Sequence, residues 1–359
     1  MARILVALAL PVALLAMTAA PAAADPVSCT PLDTTGQPTL GDNPGPPAPS
    51  YFAADFPPLA DATLGYPIGG FGGIAAHAPL HHTPVIFVHG NQADAQNWLS
   101  VMLQFQNDAG YTMQEMYALS YNGLGNYYAG LPVATPPTQD DAAYVDQNPS
   151  VLSNGGHGAA DDDNVADLCR FIRAVQSFTG SRQVDIVAHS LGVTLARRTM
   201  QLYPAVAKDV AGFVGIAGAN HGTTVCRGLE SSYYGCNEIA PGAPWLDNLN
   251  GPGGSLETYG PTRWQTIFDG LEGDPFFVGP DESSPRLAGA DNRTFAGAYH
   301  NDLRVGPREV DTYLSFLLRS GQAGPGADRN GAAAAAQVDA TQPVGSFGRL
   351  NGIPGLGGA

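Results

Sequence analysis

The segment 183–203 constrains this chain more than any other. Gln183-Val184-Asp185-Ile186-Val187 is a short β-branched run that reads as a buried strand. Residues 193–203 read as a helix, and Pro204 is placed to stop it. Between them lies Ala188-His189-Ser190-Leu191-Gly192. A serine on a tight strand-to-helix turn is lifted clear of the sheet, and the helix N-terminus behind it favours developing negative charge. Small residues at Ala188 and Gly192 are needed because strand and helix nearly touch there. The plainer alternative is a Ser190 that only caps the helix.

The rest of the chain repeats the strand–helix theme. Strands are expected at 84–88, 113–121, 210–218, 263–268 and 294–298, with a closing helix at 307–318. Segment 161–179 is amphipathic, with Val165, Leu168, Ile172, Val175 and Phe178 at helical spacing. Such alternation implies an α/β fold, a mostly parallel twisted sheet covered by helices on both faces. Two long excursions interrupt it, at 122–160 and 222–260. The second carries Tyr233, Tyr234, Trp245, Leu246 and Leu249, which either line a cap over an apolar substrate or pack the excursion onto the domain.

Residues 1–24 read as a secretory signal: Arg3, an apolar stretch from Ile4 to Leu15, then Ala22-Ala23-Ala24, with cleavage expected after Ala24. The apolar stretch is too short and Pro-interrupted for a membrane span, which needs roughly 20 residues. Residues 25–82 are rich in Pro and Gly and read as an irregular N-terminal arm over the surface. Residues 25–320 suffice for one large α/β domain with a single core, whose main body is placed at 83–320, and the Gly/Ala-rich 321–359 read as a disordered tail. The formal net charge is −16, and losing Arg3 with the signal makes it −17. So acidic a chain repels nucleic acid and anionic membrane surfaces. Four cysteines in an exported chain point to two disulfides, for which Cys226–Cys236 and Cys29–Cys169 are the favoured pairs.

Four stretches carry a family likeness: Val-Ile-Phe-Val-His-Gly-Asn (85–91), Val-Asp-Ile-Val-Ala-His-Ser-Leu-Gly (184–192), Ile-Ala-Gly-Ala-Asn-His-Gly (216–222) and Tyr-His-Asn-Asp-Leu (299–303). With them the chain resembles secreted bacterial lipases of the α/β-hydrolase superfamily. It looks closest to the group whose elbow begins with Ala, and to the related extracellular poly(3-hydroxybutyrate) depolymerases. The resemblance runs from Pro84 to about Leu318 and implies an α/β-hydrolase fold with a cap excursion. It implies ester hydrolysis by Ser190, an Asp and His300, with the backbone N–H groups of Asn91 and Leu191 as oxyanion donors. No metal or organic cofactor is required by that chemistry.

A serine hydroxyl needs a base to take its proton, and the base needs a third group to orient it. In α/β-hydrolases the chain order is Ser, acid, His, and only His221 and His300 follow Ser190. His221 directly follows the strand after the elbow and is given a structural role; His300 follows the last strand and is the expected base. His77, His81, His82, His89, His157 and His189 are read as backbone-shaping or solvated. The acid belongs after the strand at 263–268, where Asp269, Glu272, Asp274, Asp281 and Glu282 are candidates. Asp274 ranks first, held by the turn Gly270-Leu271-Glu272-Gly273 and flanked by Pro275-Phe276-Phe277, and Asp269 ranks second.

The expectation is therefore a secreted, monomeric ester hydrolase acting on small or polymeric apolar esters. The competing expectations are a polyhydroxyalkanoate depolymerase, a secreted acyltransferase, and a catalytically inactive binding protein on the same fold.

Overall fold

In the computed structural model of the chain, the described residues are Cys29, 50–59, 69–90, 93–120, 162–228 and 234–320. The expected signal segment, the 122–160 connection, the tail beyond 320 and Asn91 lie outside them. Eight strands form one sheet: β1 (Ser50–Phe52), β2 (Gly69–Gly72), β3 (Val85–Val88), β4 (Met116–Ser120), β5 (Val184–His189), β6 (Val210–Ile216), β7 (Arg263–Phe268) and β8 (Asp291–Thr294). Their spatial order is β1-β2-β4-β3-β5-β6-β7-β8, and every neighbouring pair is parallel except β2 with β4. The helices are α1 (Leu99–Ala109), α2 (Asp162–Thr179), α3 (Leu191–Leu202), α4 (Pro204–Ala207), α5 (Tyr234–Ile239), α6 (Pro244–Asn250), α7 (Asp302–Val305) and α8 (Pro307–Ser320).

Val85-Ile86-Phe87-Val88 shows why the central strands read as unbroken apolar runs. Ile86 and Val88 enter the core shared with α2 and α3, while Val85 and Phe87 enter the core shared with α1 and α8. Buried on both faces, such a strand has no polar side to display. With β5 leading through one residue into α3, this is the α/β-hydrolase fold.

Several boundaries differ from the sequence expectation. The segment 25–82 is not wholly an irregular arm, because β1 and β2 extend the sheet beyond β4. Gly69-Gly70-Phe71-Gly72 has neither alternation nor β-branching; its backbone pairing with β4 makes it a strand. Phe56, from the same segment, is buried among Phe52, Phe171, Phe178 and Tyr117. The strand expected at 113–121 begins late, because Thr112 and Glu115 form a capping box over the single turn Met113–Glu115. The strand expected at 294–298 lies earlier, at Asp291–Thr294, a polar, partly exposed edge that no hydropathy pattern reveals. Pro204 does end α3, yet it also opens α4 from the first helical position, where its missing N–H costs nothing. The disulfides are Cys29–Cys169 and Cys226–Cys236, as favoured. Among the described residues, no helix is long and apolar enough to cross a membrane.

Candidate active site

The loops leaving the C-terminal ends of β3, β5, β6, β7 and β8 gather the candidate residues. β5 ends at His189 and α3 starts at Leu191, so Ser190 alone makes the turn. It sits at φ 56 and ψ −129, a conformation that costs a non-glycine residue about 1–3 kcal/mol. Its amide donates to the Ile216 carbonyl at 2.8 Å, and its own carbonyl accepts from Val193 N–H at 3.0 Å. The hydroxyl makes no capping bond to α3, which removes the plain N-cap reading. Leu191 is buried at the first turn of that helix, where backbone N–H groups have no partner within the helix.

The turn is tight because α3 abuts the end of β3. A Cβ on Gly192 would lie 2.2 Å from the His89 carbonyl oxygen. A Cβ on Gly90 would lie 2.7 Å from the Ser190 Cβ. Glycine at 90 therefore brings the β3 turn against the serine. Asn91, the expected second oxyanion donor, follows it directly in the chain but lies outside the described residues.

Two further loops bring His300 and Asp274 together. His300 Nδ1 lies 2.7 Å from Asp274 Oδ2, and both side chains are buried. The other carboxylate oxygen of Asp274 accepts from Phe276 N–H at 3.0 Å. The Phe276 ring stands 4.6 Å from the imidazole, shielding it on one side. With Nδ1–H donating to the carboxylate, the imidazole lone pair is on Nε2.

Asp269 has a different occupation. Its Oδ2 accepts from the N–H groups of Leu271, Gly273 and Asp274, and its Oδ1 from Gly297 N–H. It thus ties the β7 loop to the β8 loop, where Gly273 and Gly297 are packed too closely for a Cβ on Gly273. His221 is engaged away from Asp274: Nδ1 meets the Ser284 carbonyl at 3.0 Å and Nε2 meets Glu257 Oε1 at 2.9 Å. Asp281 accepts from the N–H and hydroxyl of Thr224, and the carboxylate that meets His300 is that of Asp274.

Two imidazoles that the sequence marks as ordinary prove to be buried at the site. His89 has its pKa pushed down to about 4 by burial, against the opposing hydrogen bond to the Gly90 carbonyl. His189 is held well below the ordinary value by burial first, and then by the electrostatic opposition of the neighbouring His300 and Arg304 side chains. Its Nε2 lies 3.1 Å from the His300 carbonyl oxygen, so the residue beside the serine touches the loop bearing the expected base. The signal was available in the strand pattern, since period two puts His189 on the same face as buried Val187.

The 222–260 excursion is fastened from below. Arg197 of α3 is fully buried and donates to Asn220 Oδ1 at 3.1 Å, Asn250 Oδ1 at 2.8 Å and the Glu257 carbonyl at 3.1 Å. Leu246 and Leu249 enter the core shared with α2 and α3, so those two pack the excursion onto the domain. Tyr233 and the Tyr234 side chain lie outside what is described.

The family profile Lipase (class 2) matches residues 82–128 and 151–250 of the chain. No curated protein sequence matches it. Among solved structures, Aspergillus fumigatus lipase B shows 17% identity over 69% of this chain at a TM-score of 0.46. This chain spans 57% of that enzyme's length. Bacillus licheniformis lipase BlEst2 in its mature form shows 15% identity, covering 67% of this chain and 96% of its own, at a TM-score of 0.47. Pyrococcus furiosus esterase Pf2001 shows 16% identity, covering 66% and 83%, at a TM-score of 0.39. The chain is thus a protein of α/β-hydrolase fold whose sequence is similar, over the strand–elbow half of the domain, to the class 2 lipases.

Proposed function

We propose that the protein is a secreted serine ester hydrolase, lipase- or esterase-like, that works through an acyl-enzyme on apolar esters. The observation that carries this reading is the buried His300–Asp274 hydrogen bond, with the His300 carbonyl 3.1 Å from the imidazole of His189, the residue that precedes the strained Ser190. In this reading His300 Nε2 takes the Ser190 proton as the hydroxyl oxygen attacks the ester carbonyl. The tetrahedral oxyanion is received by the N–H groups of Leu191 and Asn91. The alcohol leaves with the proton from His300, and water releases the acyl group by the same route in reverse roles. Asp274 holds the imidazole tautomer and stabilises its positive charge, remaining a carboxylate throughout. Export through residues 1–24 is consistent with two disulfides, which persist in oxidising surroundings.

The test uses residues 25–359 beside the Ser190→Ala variant. A fluorophosphonate probe should label the parent protein and leave the variant unlabelled. Hydrolysis of 4-nitrophenyl esters and a triglyceride emulsion should follow the same pattern. An unlabelled parent without ester hydrolysis would select the inactive binding protein, and clearing of polyhydroxybutyrate film without triglyceride hydrolysis would select the depolymerase.

A further inference from the structure

We propose that His189 is a positioning residue for the general base, holding the backbone of His300 through its own imidazole. The inference rests on the assignment of Ser190, Asp274 and His300 given above. His189 closes β5, and strand alternation turns its ring toward the α1/α8 face of the sheet. The ring is buried, with its centroid 4.7 Å from that of His300. Nε2 is 3.1 Å from the His300 carbonyl oxygen. A carbonyl only accepts, so Nε2 carries the hydrogen and His189 is the Nε2–H tautomer. On the opposite side, Nδ1 lies 3.4 Å from where a Cβ on Gly90 would stand. One imidazole therefore spans the β3 turn, the serine's own strand and the base's loop.

The groups facing this ring are the imidazoles of His300 and His89 and the guanidinium of Arg304 on α7. All three oppose a positive charge on His189, and burial opposes it more. The ring stays neutral while His300 gains and loses its proton. The base is then anchored twice: Asp274 sets its tautomer, and His189 sets the backbone from which its ring projects. A shift of about 1 Å at such a group costs on the order of 10²-fold in rate.

Gln and Asn separate this role from mere bulk, because a Gln side-chain amide nitrogen takes the place of Nε2 and an Asn amide that of Nδ1. Full-length mature protein carrying H189Q or H189N is compared with the parent for kcat and KM on 4-nitrophenyl acetate, rate of fluorophosphonate labelling, and melting temperature. H189Q should stay within about tenfold of the parent in kcat and labelling rate. H189N should lose about 10²-fold in both, with KM changed less than about twofold. Equal losses in the two variants, or no loss in either, overturn the proposal. If H189N does not fold, H189Q decides alone: a loss beyond tenfold at unchanged melting temperature overturns it, and retention supports it. A parent protein that takes no label would instead sink the hydrolase reading, which keeps the two failures distinct.

Discussion

The serine turn and the proposed acid–base loops of Asp274 and His300 solve the same problem, holding a side chain still, by opposite means. The turn relies on crowding. Gly90, Gly192 and Ala188 let β3, β5 and α3 close on Ser190 until its backbone has one conformation, a strained one. The acid–base loops rely on hydrogen bonds. Asp269 gathers four backbone N–H groups, and Asp274 and His300 are then set by bonds to each other and to neighbouring backbone. Crowding shows in the sequence as small residues, Ala188 and Gly192 beside the serine and Gly90 at the end of β3, whereas the hydrogen-bonded arrangement depends on which polar groups of separate loops meet. The difference explains why one region is easy to recognise and the other hard.

Six experiments would sharpen or break this contrast. Ser190→Ala removes the proposed nucleophile without relaxing the turn and should lower kcat by about 10⁶ at unchanged stability. Asp274→Asn should lower kcat by about 10⁴ because the imidazole loses its preferred tautomer. Asp269→Asn should instead act through loop order, with a loss nearer 10-fold and a lower melting temperature. Equal losses at the two positions would erase the distinction between an orienting and a scaffolding carboxylate.

Gly192→Ala tests the crowding directly. Its Cβ meets backbone, which cannot swing aside, so a cost of about 3 kcal/mol and a melting temperature lower by roughly 6–12 °C are expected. Normal stability would show that the elbow has slack.

Acid should weaken the turn region through His89 and His189. Both have folded pKa values below the ordinary 6.5, so the unfolded chain binds the protons first as pH falls. Their contribution is complete above 6.5 and declines below it, continuing to about 4 for His89. Denaturant unfolding should lose up to about 1.4 kcal/mol per pH unit for each imidazole in that window. A flat profile between pH 7 and 5 would contradict their burial as neutral rings.

The smallest effect is a gain. Ser190→Gly should abolish turnover while raising stability by about 1 kcal/mol, because glycine adopts φ 56 without strain. No gain would mean that the turn stores no strain.

Much of this was legible along the chain. The apolar runs 85–88 and 263–268 became β3 and β7, and the pattern at Val165, Leu168, Ile172, Val175 and Phe178 became the buried face of α2. Gly70 and Phe71 of β2 gave no such signal, because a glycine-rich strand with one buried side chain, Phe71, shows no alternation or β-branching. Nor did Asp291–Thr294, whose side chains stay partly in solvent at the sheet edge. Asp274 outranked Asp269 on its turn and apolar flank; that turn is itself organised by Asp269, the second-ranked candidate.

By itself the sequence determined the alternation of elements and the serine turn, because burial periodicity and the demand for small residues act over a few positions. Tertiary structure decided the employment of each polar group. Asp274 meets His300, Asp269 meets backbone, and His189 meets the His300 carbonyl only once the sheet aligns the ends of β5, β7 and β8. The physical reason is range: a hydrogen bond acts over about 3 Å, and only the folded sheet brings such distant segments that close.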